Sequence, residues 1–148
     1  VAFTPVKKAL LTRQSAKIDV LAGVPLFSGL SKKELAEIAR NVTEVEFARG
    51  EYLMHEGETG REAFVILDGV VSVRRKGRKL AEATAGAVMG EMSIITDHRR
   101  NASVRAETFV SALLMSRSEF NTVIDEHPRV AVKILRSVAT RLAEAAEG

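Results

Sequence analysis

The chain contains no cysteine, which excludes a disulfide scaffold, a thiolate metal site and a cysteine nucleophile. Tryptophan is also absent, tyrosine occurs once and aromatic residues make up only 5%, too few for a sheet that reads nucleic-acid bases by stacking. No apolar run approaches the roughly 18 residues that a membrane-spanning helix requires. The longest, residues 20–27, is broken by Gly23 and Pro25. A secretory leader is not recognisable, because Lys7, Lys8, Arg13 and Lys17 are scattered through the start and no continuous apolar stretch follows them. A reducing, cytoplasmic setting is the expectation. Charge of one sign is lacking as well: 22 basic and 19 acidic residues leave a net +3, a mixed surface that does not by itself call for nucleic acid.

What is present fits one globular domain. The 148 residues are 46% hydrophobic and 28% charged, enough for an ordinary core and tight for two independent ones. Residues 1–19 carry only basic charges before Asp19, with Val6, Leu10 and Leu11 as a short apolar edge. They read as a basic helix or linker, either solvated or docked on an acidic partner or an anionic lipid surface. Residues 20–148 read as the domain proper. Ser31-Lys32-Lys33-Glu34 is a capping box, and Leu35, Ile38, Ala39 and Val42 follow at i, i+3, i+4 and i+7, the spacing of one helical face.

From Val45 the period changes. Short apolar stretches are separated by Gly50, Gly57, Gly60, Gly69, Gly77, Gly86 and Gly90, a series of strands and tight turns. Asp68-Gly69, between Phe64-Val65-Ile66-Leu67 and Val70-Val71-Ser72-Val73, predicts a hairpin with a type I′ turn. A second turn is expected at Lys76-Gly77. Strand signal resumes at Val104 and ends at Met115. Ser116-Arg117-Ser118-Glu119 then reads as another capping box, and Pro128 as the first position of a last helix to about residue 146, with Ala131, Ile134, Leu135, Val138 and Leu142 along one face. The fold class expected is α+β: an antiparallel β-roll of jelly-roll type with N-terminal helices, one short helical turn in residues 86–104 and two C-terminal helices.

Residues 86–104 carry the chemistry. Gly90 and Glu91 open the helical turn, and Arg100 lies nine residues after Glu91. The N–H groups of Met92 and Ser93 are placed to receive an anionic oxygen, with no Cβ at Gly90 to obstruct it. Arg100 offers the same anion a planar fork of donors. Glu91 beside an anion site makes sense if it accepts hydrogen bonds from hydroxyls, and a sugar attached to a phosphate provides them.

This segment resembles the phosphate-binding cassette of the cyclic nucleotide-binding domain family, which includes catabolite activator proteins, regulatory subunits of cyclic-AMP-dependent kinase and cyclic-nucleotide-gated channels. The resemblance runs from about Phe27 to Leu142 and includes Arg49-Gly50-Glu51, His55-Glu56-Gly57-Glu58, Asp68-Gly69, Gly90-Glu91, Arg100, Asn101-Ala102-Ser103-Val104 and Pro128. It implies that Arg100 binds the exocyclic oxygens of a cyclic phosphate and Glu91 the ribose 2′-hydroxyl, with backbone contacts from Gly90, Met92 and Ser93. Asn101 and Ser103 match small polar positions near the phosphate or base, Val73 and Val88 apolar positions near the purine, and Arg141 a position that caps the base in channel-type members. The chain departs from the family pattern at Met89, where an aromatic is common, and at Arg99, where proline is common. The ligand implied is cyclic AMP, with cyclic GMP left open by Asn101, which both donates and accepts.

Other chemistries are poorly supported. A jelly roll can house a cupin metal site, but His55, His98 and His127 show no paired ligand spacing. No Gly-x-Ser-x-Gly elbow marks a serine nucleophile. Met89, Met92 and Met115 read as core filling. The resemblance therefore implies a sensor rather than an enzyme, needing no cofactor or metal and passing occupancy through its terminal helices to an effector. That effector is a channel, a transcription regulator or an enzyme. The alternative is a degenerate domain of the same fold that serves as a structural or protein-interaction module. No helix-turn-helix precedes Gly148, and the Val1 start fits either processing or a piece of a longer chain.

Overall fold

The computed structural model describes Thr4, Pro5 and residues 14–147. Most of the basic segment 1–19, including Val6, Leu10 and Leu11, lies outside the described residues. Those that are described fall into two compact units, a β unit of Val42–Arg117 with the strand Thr4–Pro5, and a helical unit of residues 14–41 and 118–147.

The β unit holds β1 (Thr4–Pro5), β2 (Thr43–Phe47), β3 (Tyr52–Met54), β4 (Glu62–Asp68), β5 (Val71–Arg75), β6 (Arg78–Ala83), β7 (Val88–Met89), β8 (Ser103–Ala106) and β9 (Val110–Ser116). They form two antiparallel sheets, in the orders β1-β2-β9-β4-β7 and β3-β8-β5-β6. Side chains that alternate along each strand meet in one core. Phe47, Phe64, Ile66, Val71, Val104, Val110 and Ala112 are buried there, and the Phe47 and Phe64 rings meet edge to face at 5.8 Å.

The Asp68-Gly69 hairpin expected from sequence does not form. Strand β4 pairs with β9 and β7, β5 pairs with β8 and β6, and the chain crosses from one sheet to the other at this corner. Gly69 has a φ of +98°, and a Cβ there would lie 2.3 Å from the Phe109 carbonyl oxygen, so close approach of a neighbouring loop dictates the glycine. The two positive φ angles of a type I′ turn occur instead at Lys76 (+52°) and Gly77 (+78°), between the paired strands β5 and β6.

The helical unit comprises α1 (Gln14–Ala22), a 3₁₀ turn at Pro25–Phe27, α2 (Lys32–Ala39), α3 (Arg117–Glu126, its first residue counted with the β unit) and α4 (Pro128–Glu147). Among the described residues no helix is long and apolar enough to cross a membrane. The capping box read at Ser31 is present: Glu34 N–H donates to Ser31 Oγ at 3.2 Å, and Ser31 N–H to Glu34 Oε1 at 2.8 Å. Leu35, Ile38 and Ala39 are buried as their spacing requires. The packed face of α4 differs from the expected stripe. Val130 and Ile134 are buried, whereas Leu135 and Leu142 are 67% and 71% exposed, because they lie roughly 100° further round the helix from Ile134 and its row.

Glu34 also ties α2 to α4. Lys133 Nζ donates to Glu34 Oε1 at 2.6 Å. That bond first, and the Ser31 N–H second, hold the Glu34 carboxyl down at about 2. A carboxyl lowered on folding stabilises fully above its unfolded value and loses that contribution as pH falls through its folded one. Glu34→Gln is therefore expected to cost about 1 kcal/mol near neutral pH, about 3 °C in thermal midpoint. Melts followed by circular dichroism should show the difference from wild type shrinking as pH falls from about 4.5 toward about 2.

Candidate functional site

Between β7 and β8 the chain leaves the sheets and builds one wall of a cavity of about 590 Å³. Gly90, at φ +72°, turns it into a 3₁₀ helix at Glu91–Ile94. The turn is closed by Ser93 N–H donating to the Gly90 carbonyl at 2.9 Å, and the Met92 carbonyl accepts from Ile95 and Thr96 N–H at 3.1 and 2.9 Å. Of the two amides expected to meet an anion, Ser93 N–H is thus committed inside the turn. That of Met92 stands ahead of the first internal bond. Met92 itself is 42% exposed on the cavity wall rather than core filling, while Met115 is buried.

Arg100 reaches this turn from the far side of the loop. Segments 57–60 and 99–100 lie antiparallel: Gly57 N–H donates to the Arg100 carbonyl and Arg100 N–H to the Glu58 carbonyl, both at 2.8 Å, with Thr59 bridged to Arg99. Extended backbone points successive side chains to opposite sides. Arg99 accordingly turns back onto its partner segment, its Nη1 donating to the Gly57 carbonyl at 2.7 Å. Arg100 turns inward, donating from Nη1 to Ser93 Oγ and from Nη2 to the Glu62 carbonyl, each at 2.9 Å. Removal from water pulls the Arg100 guanidinium below its ordinary value, and the Glu62 and Glu58 carboxylates oppose that shift.

Two glycines make room for this side chain. A Cβ on Gly60 would lie 2.5 Å from Arg100 Nε and from Ser93 Oγ. One on Gly90 would lie 2.2 Å from Arg100 Nη1 and 2.9 Å from the Glu62 carbonyl oxygen. Gly60 has no positive φ and so is not a turn glycine; space alone requires it. In the sequence Gly60 is indistinguishable from the turn glycines around it, and the Glu62 carbonyl gives no sequence signal.

The cavity lining brings together most residues singled out from sequence: Val73, Val88, Gly90, Glu91, Met92, Ser93, Arg100 and Asn101, joined by Met54, Met89, Thr96, His98, Arg99, Ala102 and Val104. The lining therefore combines the cations Arg99 and Arg100 and the single carboxylate Glu91 with the aliphatic side chains of Met54, Val73, Val88 and Val104. Asn101 is exposed, and its carbonyl accepts from Arg75 Nε at 2.9 Å. Ser103 is buried and not part of the lining; its hydroxyl accepts from Glu56 N–H at 2.8 Å. Arg141 belongs to the helical unit, in α4, where it lines a separate recess with Ser28, Gly29 and Ser137.

Comparison with known proteins points the same way. The family model described as "Cyclic nucleotide-binding domain" matches residues 44–127, from β2 to the end of α3. Potassium/sodium hyperpolarization-activated cyclic nucleotide-gated channel 4 of Oryctolagus cuniculus is 32% identical over 124 residues, 84% of this chain and 10% of the channel, so the chain spans about a tenth of that relative's length. Among solved structures, the N-terminal domain of a transcriptional regulator from Streptomyces coelicolor A3(2) matches with a TM-score of 0.81 and 33% identity, covering 88% of this chain and 96% of that one. A cyclic nucleotide-binding domain from Methylobacillus flagellatus shares the fold, with a TM-score of 0.70 at 24% identity over 90% of this chain and 80% of that one. By the match to the family model, together with the strand order and the half-buried Arg100 behind the helical turn, this chain belongs to the cyclic nucleotide-binding domain family.

Proposed function

We propose that the β unit binds a cyclic purine nucleotide, cyclic AMP in the first instance, and that the chain works as a sensor without catalytic activity. The observation that carries this reading is the Arg100 guanidinium, half-buried at the edge of a cavity of about 590 Å³ and fixed by Ser93 and Glu62. A cation held in that way needs little reorganisation to receive the two exocyclic oxygens of a cyclic phosphate. In this arrangement Glu91 accepts from the ribose hydroxyl. Val73, Val88, Met54 and Val104 receive the base, and the Met92 N–H adds a donor at the phosphate. Occupancy is reported through the terminal helices to an effector, with Arg141 in α4 meeting the base. Such a ligand shifts the helices only by as much as its affinity for the two arrangements differs.

A second reading has one observation in its favour. Both terminal nitrogens of Arg100 already donate within the protein, to Ser93 and Glu62, as they would in a domain kept for its fold alone. Calorimetric titration with cyclic AMP and cyclic GMP separates the two. Saturable binding, weakened by roughly 2–5 kcal/mol in Arg100→Ala, is expected for the sensor, and the ratio of the two affinities shows what Asn101 selects. No heat with either nucleotide, together with a lowered melting temperature in Arg100→Ala, establishes the structural role instead.

Two further substitutions sharpen the site. Gly60→Ala leaves the backbone unstrained but pushes a methyl into Arg100 and Ser93. It is expected to reduce affinity at least about tenfold while shifting the melting temperature by only a few degrees. Arg141→Ala is expected to weaken binding measurably, by less than Arg100→Ala does. An unchanged affinity in the same titration removes Arg141 from the site.

A further inference from the structure

A second arginine holds the cassette from behind. Arg117, the first residue of α3, closes the β unit, and its N–H donates to the Arg61 carbonyl at 2.7 Å. Its side chain is mostly removed from solvent and converges on the end of the 3₁₀ turn. Nε and Nη2 both donate to the Ser93 carbonyl, at 3.1 and 2.8 Å. Nη2 also reaches the Gly60 carbonyl at 3.2 Å and the Thr96 carbonyl, while Nη1 pairs with Asp97. The Asp97 carboxylate is 87% exposed, so that ion pair adds little by itself. The substance of the contact is a planar fork against the Ser93 carbonyl, at the end of the 3₁₀ turn, and the carbonyls of Thr96 and Gly60 beside it.

Two of these acceptors belong to residues that hold Arg100. Ser93 meets Arg100 through its hydroxyl and Arg117 through its carbonyl. Gly60 meets Arg100 through its bare Cα, where no Cβ fits, and Arg117 through its carbonyl. We propose that Arg117 is a positioning residue for the anion site: it fixes the backbone of Ser93 and Gly60 from one side, and those two residues set the guanidinium of Arg100 from the other. The inference deepens the nucleotide-binding reading above and rests on it for its consequence for affinity. The fork is specific to arginine. A lysine head keeps the charge but cannot reach Ser93, Gly60 and Thr96 in one plane.

The test is a thermodynamic cycle on the full chain, with cyclic AMP as the probe in calorimetry. Arg117→Met is expected to lower affinity about tenfold in the wild-type background and less than about twofold in the Arg100→Ala background, because a residue that acts through Arg100 has nothing left to position once Arg100 is gone. Equal fold losses in the two backgrounds overturn the proposal, since general loosening of the fold weakens binding with or without Arg100. Where Arg117→Met fails to fold, Arg117→Lys carries the same cycle, with a smaller loss expected. Hydrogen exchange on the free protein supplies an arm that needs no nucleotide. Amides of residues 93–97 should exchange at least about tenfold faster in the variant, with those of β9 unchanged. Unchanged exchange at 93–97 overturns the proposal. Faster exchange there in a protein whose wild type binds neither cyclic nucleotide upholds the positioning role and refutes the nucleotide reading.

Discussion

The site depends on holding one guanidinium partly out of water. Burying a charge is costly unless it is hydrogen-bonded and compensated, and the β unit meets that demand for Arg100 with a hydroxyl, a backbone carbonyl and two nearby carboxylates. Much of the local architecture follows from this requirement. The 3₁₀ turn exists where Ser93 must present its hydroxyl. Segment 57–60 runs antiparallel to 99–100 so that Arg100 rather than Arg99 turns inward. Strand β4 begins at Glu62, and its first carbonyl is the acceptor for Nη2.

The sheets supply the rigidity that the loop alone lacks. β4 lies between β9 and β7, which places the Glu62 end of a central strand beside the cassette, while Phe64 and Ile66 further along are locked in the core. A binding loop anchored on a strand of this kind can hold its donors in place, whereas a loop tethered only at its ends would lose them to motion. The corner at Gly69 has a related function. By sending the chain from one sheet to the other, it lets β5 contribute Val73 to the cavity from the sheet opposite Gly90.

How much of this was legible in the sequence depended on how local each signal was. The capping box at Ser31 and the strand series are short-range patterns, and the structure reproduces them; the spacing of Gly90, Glu91 and Arg100 is short-range as well, and the three residues line one cavity. Asp68-Gly69 is also short-range and was misleading, because pairing of β4 with β9 overrode the preference of an Asp-Gly pair for a tight hairpin. Gly60 and Arg117 could not be read at all. Their roles arise when residues 60, 93, 100 and 117 meet, and no window of sequence contains all four. In the sequence Gly60 looks like Gly57, yet only Gly57 has a positive φ. Arg117 looks like the second residue of a capping box. Leu135 and Leu142 carry helical periodicity that the buried face of α4 does not use.

The close packing of Arg100 between two bare Cα atoms makes the three positions interdependent over evolutionary time. While residue 100 is arginine, neither residue 60 nor residue 90 can gain a side chain without displacing it. Once residue 100 becomes small, the bar at Gly60 is reduced to the Ser93 hydroxyl, the end of a side chain that can turn away. A descendant that drifted this way could not recover the half-buried cation by a single reversion, because the space would already be filled. The loss of the arginine would thus act as a ratchet, set by the space that residues 60, 90 and 100 share.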